Sequence, residues 1–298
     1  MAPTDKREDQ EQLEAQVGHP ETKFEALKAR IQDDVVRKFR GIETEFLDLI
    51  WTLDQYRARQ VVPYGMGNPK FAPSSRLEGI YRGKGNYFST TMALILGNKT
   101  TSQLASRRDI QGFSQTHQID IAWPARDAVP LVDPYICAEA KLTGAPPFEE
   151  NRGRGALDDW SNRRKELKFQ ATDLKLYRHV AEQSTIEHWD LWRRRAWPSV
   201  YSLWAARMRP NDEVQKMIDE ARTLTETYCD GVGIYAFREN LSGTGYEPTP
   251  LSKGVSERVT SLDNVLDLIA AQIRQIMSEH NNRVPPVIKT AGSELPFE

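Results

Sequence analysis

The stretch that decides the fold is Gln118–Lys141, which has the sequence QIDIAWPARDAVPLVDPYICAEAK. Polar and apolar residues alternate around Asp120 near its start, and this period of two predicts a β-strand. A second, more apolar run ends the stretch and carries Glu139 and Lys141 on one face. The 18 residues between Asp120 and Glu139 allow the two strands to turn back and pair side by side.

Charged side chains are unexpected in the second of these strands. A continuous apolar run predicts a strand that is central in its sheet and buried on both faces. Burying the carboxylate of Glu139 and the ammonium of Lys141 is costly unless they serve each other or a metal ion. This conflict between burial and charge indicates a functional site. A structural ion pair on an edge strand is the alternative.

Length and composition indicate a soluble globular protein. The chain has 298 residues, of which 39% are hydrophobic and 28% charged, enough for one large domain with extensions. No run approaches 18 apolar residues, so we expect no membrane span. The polar N-terminus lacks the apolar core of a signal peptide. Only two cysteines occur, which favours a reducing, cytoplasmic location.

The formal net charge of −2 conceals a positive central segment. Residues 141–209 carry 14 basic and 9 acidic side chains, whereas residues 210–298 carry 8 basic and 14 acidic ones. A positive segment that begins at Lys141 suits a polyanionic substrate such as nucleic acid. An ordinary solvated surface would have the same composition.

The periodicity predicts an α/β fold with a helical N-terminal layer. Residues 1–20 are polar and are expected to be disordered. A single domain is expected over 21–277, comprising a helical layer at 21–73, a catalytic core at 74–240, and a C-terminal loop and helix at 241–277. The remaining residues, 278–298, are expected to form a flexible tail.

The spacing Glu-x-Lys has little meaning by itself, because it occurs three times in this chain. The triplets begin at Glu21, Glu139 and Glu166, and the first and last lie in polar helical surroundings. Only the middle triplet lies in an apolar strand preceded by a strand with its own acid, Asp120. Asp133 lies only six residues before Glu139, too close to belong to an opposing strand.

This pattern resembles the PD-(D/E)xK nuclease superfamily, which includes many type II restriction endonucleases. Asp120 matches the first acid of the family pattern, Glu139 the second acid and Lys141 the lysine. Ile119 stands where the pattern has proline, a position that the family often varies. The resemblance covers about residues 75–240. It implies a restriction-endonuclease-like mixed central sheet flanked by helices.

The resemblance also implies a chemistry: Mg²⁺-dependent endonucleolytic cleavage of DNA, of restriction or phage-defence type. Asp120, Glu139 and the backbone carbonyl of Ala140 would hold Mg²⁺ through oxygen atoms. Lys141 would position or deprotonate the attacking water, or stabilise developing charge. The expected partner is double-stranded DNA, with a homodimer as a further expectation. Two alternatives are a nuclease-fold subunit acting on DNA or RNA with a defence-system partner protein, and a non-catalytic nucleic-acid-binding module.

Other residues are candidates for supporting roles in the same site. Glu78 is the preferred fourth acid, Glu45 is the alternative, and Gln170 could face the site from the helix behind the Glu-x-Lys strand. Six basic residues are candidates for binding nucleic acid: Arg82, Lys84, Arg152, Arg154, Arg163 and Arg164.

Overall fold

The computed structural model describes most of the chain as helices and strands. The described residues are 7–125, 134–147, 153–158, 160–181, 198–209, 214–249 and 259–283. The α-helices are α1 Arg7–Val17, α2 Pro20–Asp33, α3 Glu43–Ala58, α4 Pro73–Thr100, α5 Trp160–Ala181, α6 Val214–Thr227 and α7 Leu262–Arg283. The strands are β1 Ala105–Gln111, β2 Thr116–Trp123, β3 Ile136–Thr143, β4 Ser199–Arg207, β5 Gly231–Glu239, β6 Tyr246–Pro248 and β7 Val259–Ser261. A short 3₁₀ helix, Phe39–Ile42, precedes α3.

The strands form one mixed sheet in the order β1-β2-β3-β4-β5-β6, and β7 also pairs with β5. The β1–β2 and β2–β3 pairs are antiparallel, as predicted for the strands of Asp120 and Glu139. The β3–β4 and β4–β5 pairs are parallel, and α6 makes the crossover between β4 and β5. The predicted α/β class, with a mixed sheet flanked by helices, is therefore confirmed.

Helices cover both faces of the sheet. On one face, α2, α3, α4 and α7 share a hydrophobic core with side chains of β2, β3, β4 and β5. On the other face, α5 and α6 pack against the alternate side chains of the same strands. Strand β4 lies in the middle, and all nine of its residues are buried. Its near-continuous apolar sequence is typical of a strand that is covered on both faces.

The N-terminal segment differs from the sequence prediction. Residues 7–17, expected to be disordered, form helix α1. Leu13 of this helix is buried in a small cluster with Tyr56 and Val61, and Val17 packs against it. Two apolar residues four positions apart lie on the same side of a helix, and this contact stabilises a segment whose composition is otherwise polar. The helical layer predicted for residues 21–73 is confirmed by α2 and α3.

The C-terminal prediction also needs correction. Helix α7 continues six residues beyond the predicted end at Met277, reaching Arg283, and residues 284–298 lie outside the described part of the chain. Near the start of α7, Asp263 accepts hydrogen bonds from the backbone N–H groups of Phe39 and Arg40. This contact joins the C-terminal helix to the N-terminal layer.

Helix α4 is the longest of the described helices. Pro73–Thr100 forms one helix of 28 residues, although its first half contains three glycines. Gly79, Gly83 and Gly85 face open space, where a side chain would meet nothing within 4 Å. Each glycine costs about 1 kcal/mol of helix propensity. The buried side chains of the same helix, such as Phe88 and Met92, outweigh that cost.

Lys84 is a predicted nucleic-acid contact that the structure places in the interior. Its ammonium donates to both carboxylate oxygens of Asp54, at 2.7 and 2.8 Å. Asp54 is fully buried and also accepts a hydrogen bond from Tyr246. Burial lowers the pKa of Lys84, although Asp54 acts in the opposite direction. The lysine therefore serves a buried ion pair that links α3 and α4.

Replacing Lys84 with methionine tests this assignment. Lys84→Met would leave the carboxylate of Asp54 buried without its cation, and we expect the free energy of unfolding to fall by about 3–5 kcal/mol. Urea unfolding measures the change. Arg82→Met is the matched control, because Arg82 is exposed on the same helix and its replacement should alter stability by less than about 0.5 kcal/mol. Equal stability of the two variants would contradict a structural role for the pair.

Candidate active site

Asp120 lies where strand pairing is interrupted. On one side, the β1–β2 register passes from Ser106↔Ile121 to Arg108↔Ile119 and omits the position opposite Asp120. That position is Arg107, whose φ of 53° is unusual for a residue with a side chain. On the other side, the β2–β3 pairs end at Ile121↔Ala138. The backbone around Asp120 is thus partly released from the sheet.

The carboxylate of Asp120 replaces the missing backbone pairing. Its Oδ2 atom accepts a hydrogen bond of 3.0 Å from the backbone N–H of Ala140. Ala140 lies between Glu139 and Lys141, so this bond fixes the position of Asp120 relative to both. The strand geometry thereby brings together the three residues that the sequence singled out.

Lys141 lies between the two acids. Its Nζ atom is 2.6 Å from Oε2 of Glu139 and 3.6 Å from Oδ2 of Asp120. The Glu139 side chain is nearly inaccessible to solvent, whereas Asp120 and Lys141 remain partly accessible. The cluster therefore presents one lysine and one carboxylate to solvent, with the second carboxylate behind them.

Burial and charge act in opposite directions on these groups. Burial raises the pKa of Glu139 to about 7, since Lys141 lowers it only in part and Asp120 raises it further. For Lys141, burial lowers the pKa, but the carboxylates of Glu139 and Asp120 outweigh that effect and leave it above its ordinary value. The lysine is consequently held in its charged form. Burial is thus the largest cause of the raised pKa of Glu139, and the charge of Asp120 adds to it.

Gln170 of helix α5 contacts the site, as the sequence suggested. Its side-chain amide donates to Oε1 of Glu139 at 2.9 Å. Both oxygens of Glu139 are therefore engaged, one by Lys141 and the other by Gln170. These two contacts fix the orientation of the carboxylate.

Two cavities meet at this cluster. The larger, of about 570 Å³, contains Asp120 and Ala140 in its lining, and the smaller, of about 240 Å³, contains Glu139. Lys141 and Arg163 line both cavities. The side chains of the Glu-x-Lys strand therefore separate two spaces, and each space contacts a different carboxylate.

The lining of the larger cavity is strongly basic. Six basic residues line it, against two acidic ones, Glu78 and Asp120. The basic residues are Arg57, Arg82, Lys84, Lys141, Arg154 and Arg163. Lys84 and Lys141 are paired with carboxylates, so the arginines supply the positive charge that favours an anionic ligand.

The structure separates the remaining predicted site residues. Glu78, the preferred fourth acid, is exposed and lines the larger cavity, whereas Glu45 pairs with Arg30 and lines neither cavity. Arg164 also lines neither cavity and forms an ion pair with Glu220 of helix α6. Arg152 lies outside the described residues.

A histidine–aspartate pair beside the site was missed by the sequence analysis. Nε2 of His117 lies 2.8 Å from Oδ2 of Asp173, and both side chains are buried. Asp173 also accepts a hydrogen bond from the backbone N–H of Ser114 in the β1–β2 turn. A Cβ atom at Gly112 would lie 2.1 Å from Oδ2 of Asp173, so the turn requires glycine there. The histidine and the aspartate are 56 positions apart, so no local spacing identifies the pair.

The oxygen atoms of the cluster fit Mg²⁺ chemistry, with substrate completing the ligand set. Within the residues that the structure describes, no group of three or more His, Cys, Asp and Glu side chains is arranged to hold a metal ion. Asp120 and Glu139 offer two carboxylates. Mg²⁺ is usually bound by one or two carboxylates together with water and substrate phosphates, rather than by a complete protein cage. Burial is the main cause of the raised pKa of Glu139, and a bound cation would favour its ionised form.

Comparisons with known proteins return no relatives. No family model matches the chain, and no curated protein or solved structure matches it. Across the described residues, the helices are too short or too polar to cross a membrane.

We expect Asp173→Asn to destabilise the protein in a pH-dependent manner. Burial acts to raise the pKa of Asp173, but hydrogen bonds from His117 and Ser114 outweigh it and lower the pKa below its ordinary value. The stabilisation by the ionised carboxylate is therefore complete above about pH 4 and is lost as the pH falls through the lowered pKa.

Urea unfolding of the wild type and of Asp173→Asn at pH 7 and below pH 4 measures this difference. At pH 7 the variant should lose about 2 kcal/mol, the range of hydrogen bonds to charged groups, and the difference should shrink in acid. Asp219→Asn, an exposed aspartate on helix α6, is the control and should show neither effect. A difference that stays constant with pH would show that the charge of Asp173 is not involved.

Proposed function

We propose that this protein is a Mg²⁺-dependent endonuclease that hydrolyses phosphodiester bonds in DNA. The observation that supports it best is the position of Lys141, between the carboxylates of Asp120 and Glu139 and at the border of a basic cavity. Two acids from adjacent antiparallel strands and a lysine two residues after the second acid also carry the resemblance to PD-(D/E)xK nucleases.

Each residue of the cluster has a role in this reaction. Asp120, Glu139 and the backbone carbonyl of Ala140 would hold Mg²⁺, which when bound polarises the phosphate and lowers the pKa of bound water. Lys141 carries a positive charge and would stabilise the charge that develops on the phosphate or orient the attacking water. Gln170 donates a hydrogen bond to Oε1 of Glu139 and would keep the carboxylate oriented towards the site.

The basic cavity would bind the backbone of the substrate. Arg82 of α4, Arg163 of α5 and Arg154, which lies between these helices in the chain, line it. Glu78 also lines it and is available as a further metal ligand. Phosphate contacts of this kind position nucleic acid without reading its sequence. A restriction or phage-defence role, double-stranded DNA as the substrate and a homodimer are parts of this proposal that rest on the family resemblance.

A second candidate is a nuclease-fold subunit that acts on DNA or RNA only with a partner. Both carboxylates of the cluster lie within ion-pair distance of Lys141. This ion-paired arrangement must open when a metal ion binds, and a partner protein or the nucleic acid itself could supply the free energy for opening. A non-catalytic binding module would keep the ion pair closed.

Loss of the Asp120 carboxylate or of the Lys141 ammonium should abolish cleavage. We expect Asp120→Asn and Lys141→Met to cut plasmid DNA at least about 100-fold more slowly than the wild type in Mg²⁺, because each removes a group that acts on the reacting phosphate. Gel analysis of nicked and linear products measures the rates, and EDTA should stop the wild type. Lys168→Met is the matched control, since Lys168 belongs to another Glu-x-Lys triplet, on helix α5.

The outcomes separate the candidates. Undiminished cleavage by Asp120→Asn and Lys141→Met would refute the site. DNA binding without cleavage by the wild type in Mg²⁺ would favour the partner-dependent subunit or the binding module. DNA binding in Ca²⁺ without cleavage, followed by cleavage on addition of Mg²⁺, would support the metal-dependent reaction.

Replacing a basic residue of the larger cavity should weaken the salt dependence of DNA binding. For each phosphate contact removed, the slope of log K against log salt concentration decreases in magnitude by about 1. We expect this change for Arg82→Met and for Arg163→Met, measured by fluorescence anisotropy in Ca²⁺. Arg238→Met is the control, because Arg238 pairs with Glu247 away from both cavities. An unchanged slope in both cavity variants would show that DNA binds elsewhere.

A further inference from the structure

The smaller cavity lies on the Glu139 side of the Glu-x-Lys strand. Strands β3 and β4 form part of its lining, and their register places Ser202 beside Glu139 and Trp204 beside Lys141. All four side chains line the cavity. The space of about 240 Å³ is therefore directly adjacent to the acid and lysine of the proposed nuclease site.

Two buried polar groups of this cavity have no hydrogen-bond partner in the described part of the chain. They are the hydroxyl of Ser202 and the indole N–H of Trp204. Ser202 is fully buried, and Trp204 is only 1% exposed. Leaving such a group unsatisfied in the interior costs folding free energy. Two in one cavity, both beside the reacting residues, indicate a ligand that supplies the missing partners.

Other parts of the cavity lining suit a planar ligand with hydrogen-bonding edges. Gln115, Gln118 and Gln170 line the cavity. Gln118 is bonded to Arg107 and Asp109, whereas Gln170 donates to Glu139, so its carbonyl oxygen can still accept. Phe169 lines it as well, yet the residue is 49% exposed. An accessible aromatic ring beside a polar cavity offers a surface on which a base can stack.

The phenyl ring of Phe169 has a fixed neighbour. The ring of His117 lies edge-on to it, with centroids 5.6 Å apart. His117 is in turn held by Asp173, on the same helix as Phe169. The histidine–aspartate pair thus supports the orientation of the aromatic surface.

We propose that the smaller cavity binds one unpaired nucleobase of the substrate, adjacent to the phosphate that is cleaved. This inference rests on the proposed function for the position of the phosphate. Phe169 stacks on the base, while Ser202, Trp204 and the glutamine amides bind its edge. At about 30 Å³ per water molecule, the cavity has room for about eight waters. A pyrimidine base has a similar number of heavy atoms.

A cavity that binds an unpaired base favours DNA substrates that contain unpaired nucleotides. A base inside a duplex is stacked and paired, so it must leave the helix to enter a cavity. Single-stranded DNA, or duplex DNA with an unpaired nucleotide, avoids that cost. Such substrates should therefore be bound more tightly and cut faster than fully paired DNA of the same length.

Binding of mononucleotides tests the cavity without requiring cleavage. The four deoxynucleoside 5′-monophosphates are titrated into the full-length protein and compared with deoxyribose 5-phosphate, which lacks the base, with chemical-shift changes in NMR spectra as the readout. At least one nucleotide should bind about tenfold or more tightly than the sugar phosphate. Phe169→Ala and Ser202→Ala should each reduce this preference. Tyr177→Ala is the control, because Tyr177 is exposed on the same helix and lines neither cavity.

Thermal unfolding distinguishes a binding role for Ser202 from a structural one. Ser202→Ala removes an unpartnered buried hydroxyl, so the melting temperature of the nucleotide-free protein should stay the same or rise while the preference for nucleotides falls. An unchanged preference in both Ser202→Ala and Phe169→Ala would overturn the proposal. Equal binding of nucleotides and deoxyribose 5-phosphate by the wild type would overturn it as well. Failure of the nuclease proposal would instead appear as absence of cleavage while the nucleotide preference remains.

Discussion

The ion pair between Lys141 and Glu139 is the contact on which the rest of the site depends. Strand β3 is buried on both faces, and a carboxylate or an ammonium there is tolerated only when its charge is compensated. Lys141 compensates Glu139 directly and Asp120 at a longer distance. Burial is the main reason that the pKa of Glu139 is raised, and the nearby carboxylate of Asp120 adds to the effect.

The mixed sheet determines where this charge cluster lies. Parallel pairing with β4 continues along the whole of β3, and the strand is buried as far as Ala140. Antiparallel pairing with β2 ends earlier, and the carboxylate of Asp120 takes over a backbone N–H from that point. Pairing with β4 therefore fixes the side chains of Glu139 and Lys141. The loss of pairing with β2 makes the charge cluster accessible. A strand paired along its full length on both sides would leave no space for a ligand.

Helix α5 adds a second set of constraints. Gln170 orients Glu139, and Asp173, one turn further along, binds His117 and the turn between β1 and β2. The same helix supplies Arg163 to both cavities and Phe169 to the smaller one. Because these contacts share one rigid helix, a shift of α5 would alter the orientation of Glu139, the basic lining and the aromatic surface together.

Sequence patterns predicted the α/β class and the paired strands of Asp120 and Glu139, and the structure confirms both. The choice of one Glu-x-Lys triplet among three stays a prediction. Those features follow from local periodicity and from the rarity of charge in an apolar strand. The ion-pair role of Lys84 depends on tertiary structure, because its partner Asp54 lies 30 residues away. The helix at residues 7–17 also depends on tertiary structure, because burial of Leu13 against Tyr56 and Val61 outweighs a polar composition. Contacts between distant residues depend on how the elements pack, and no local pattern records that packing.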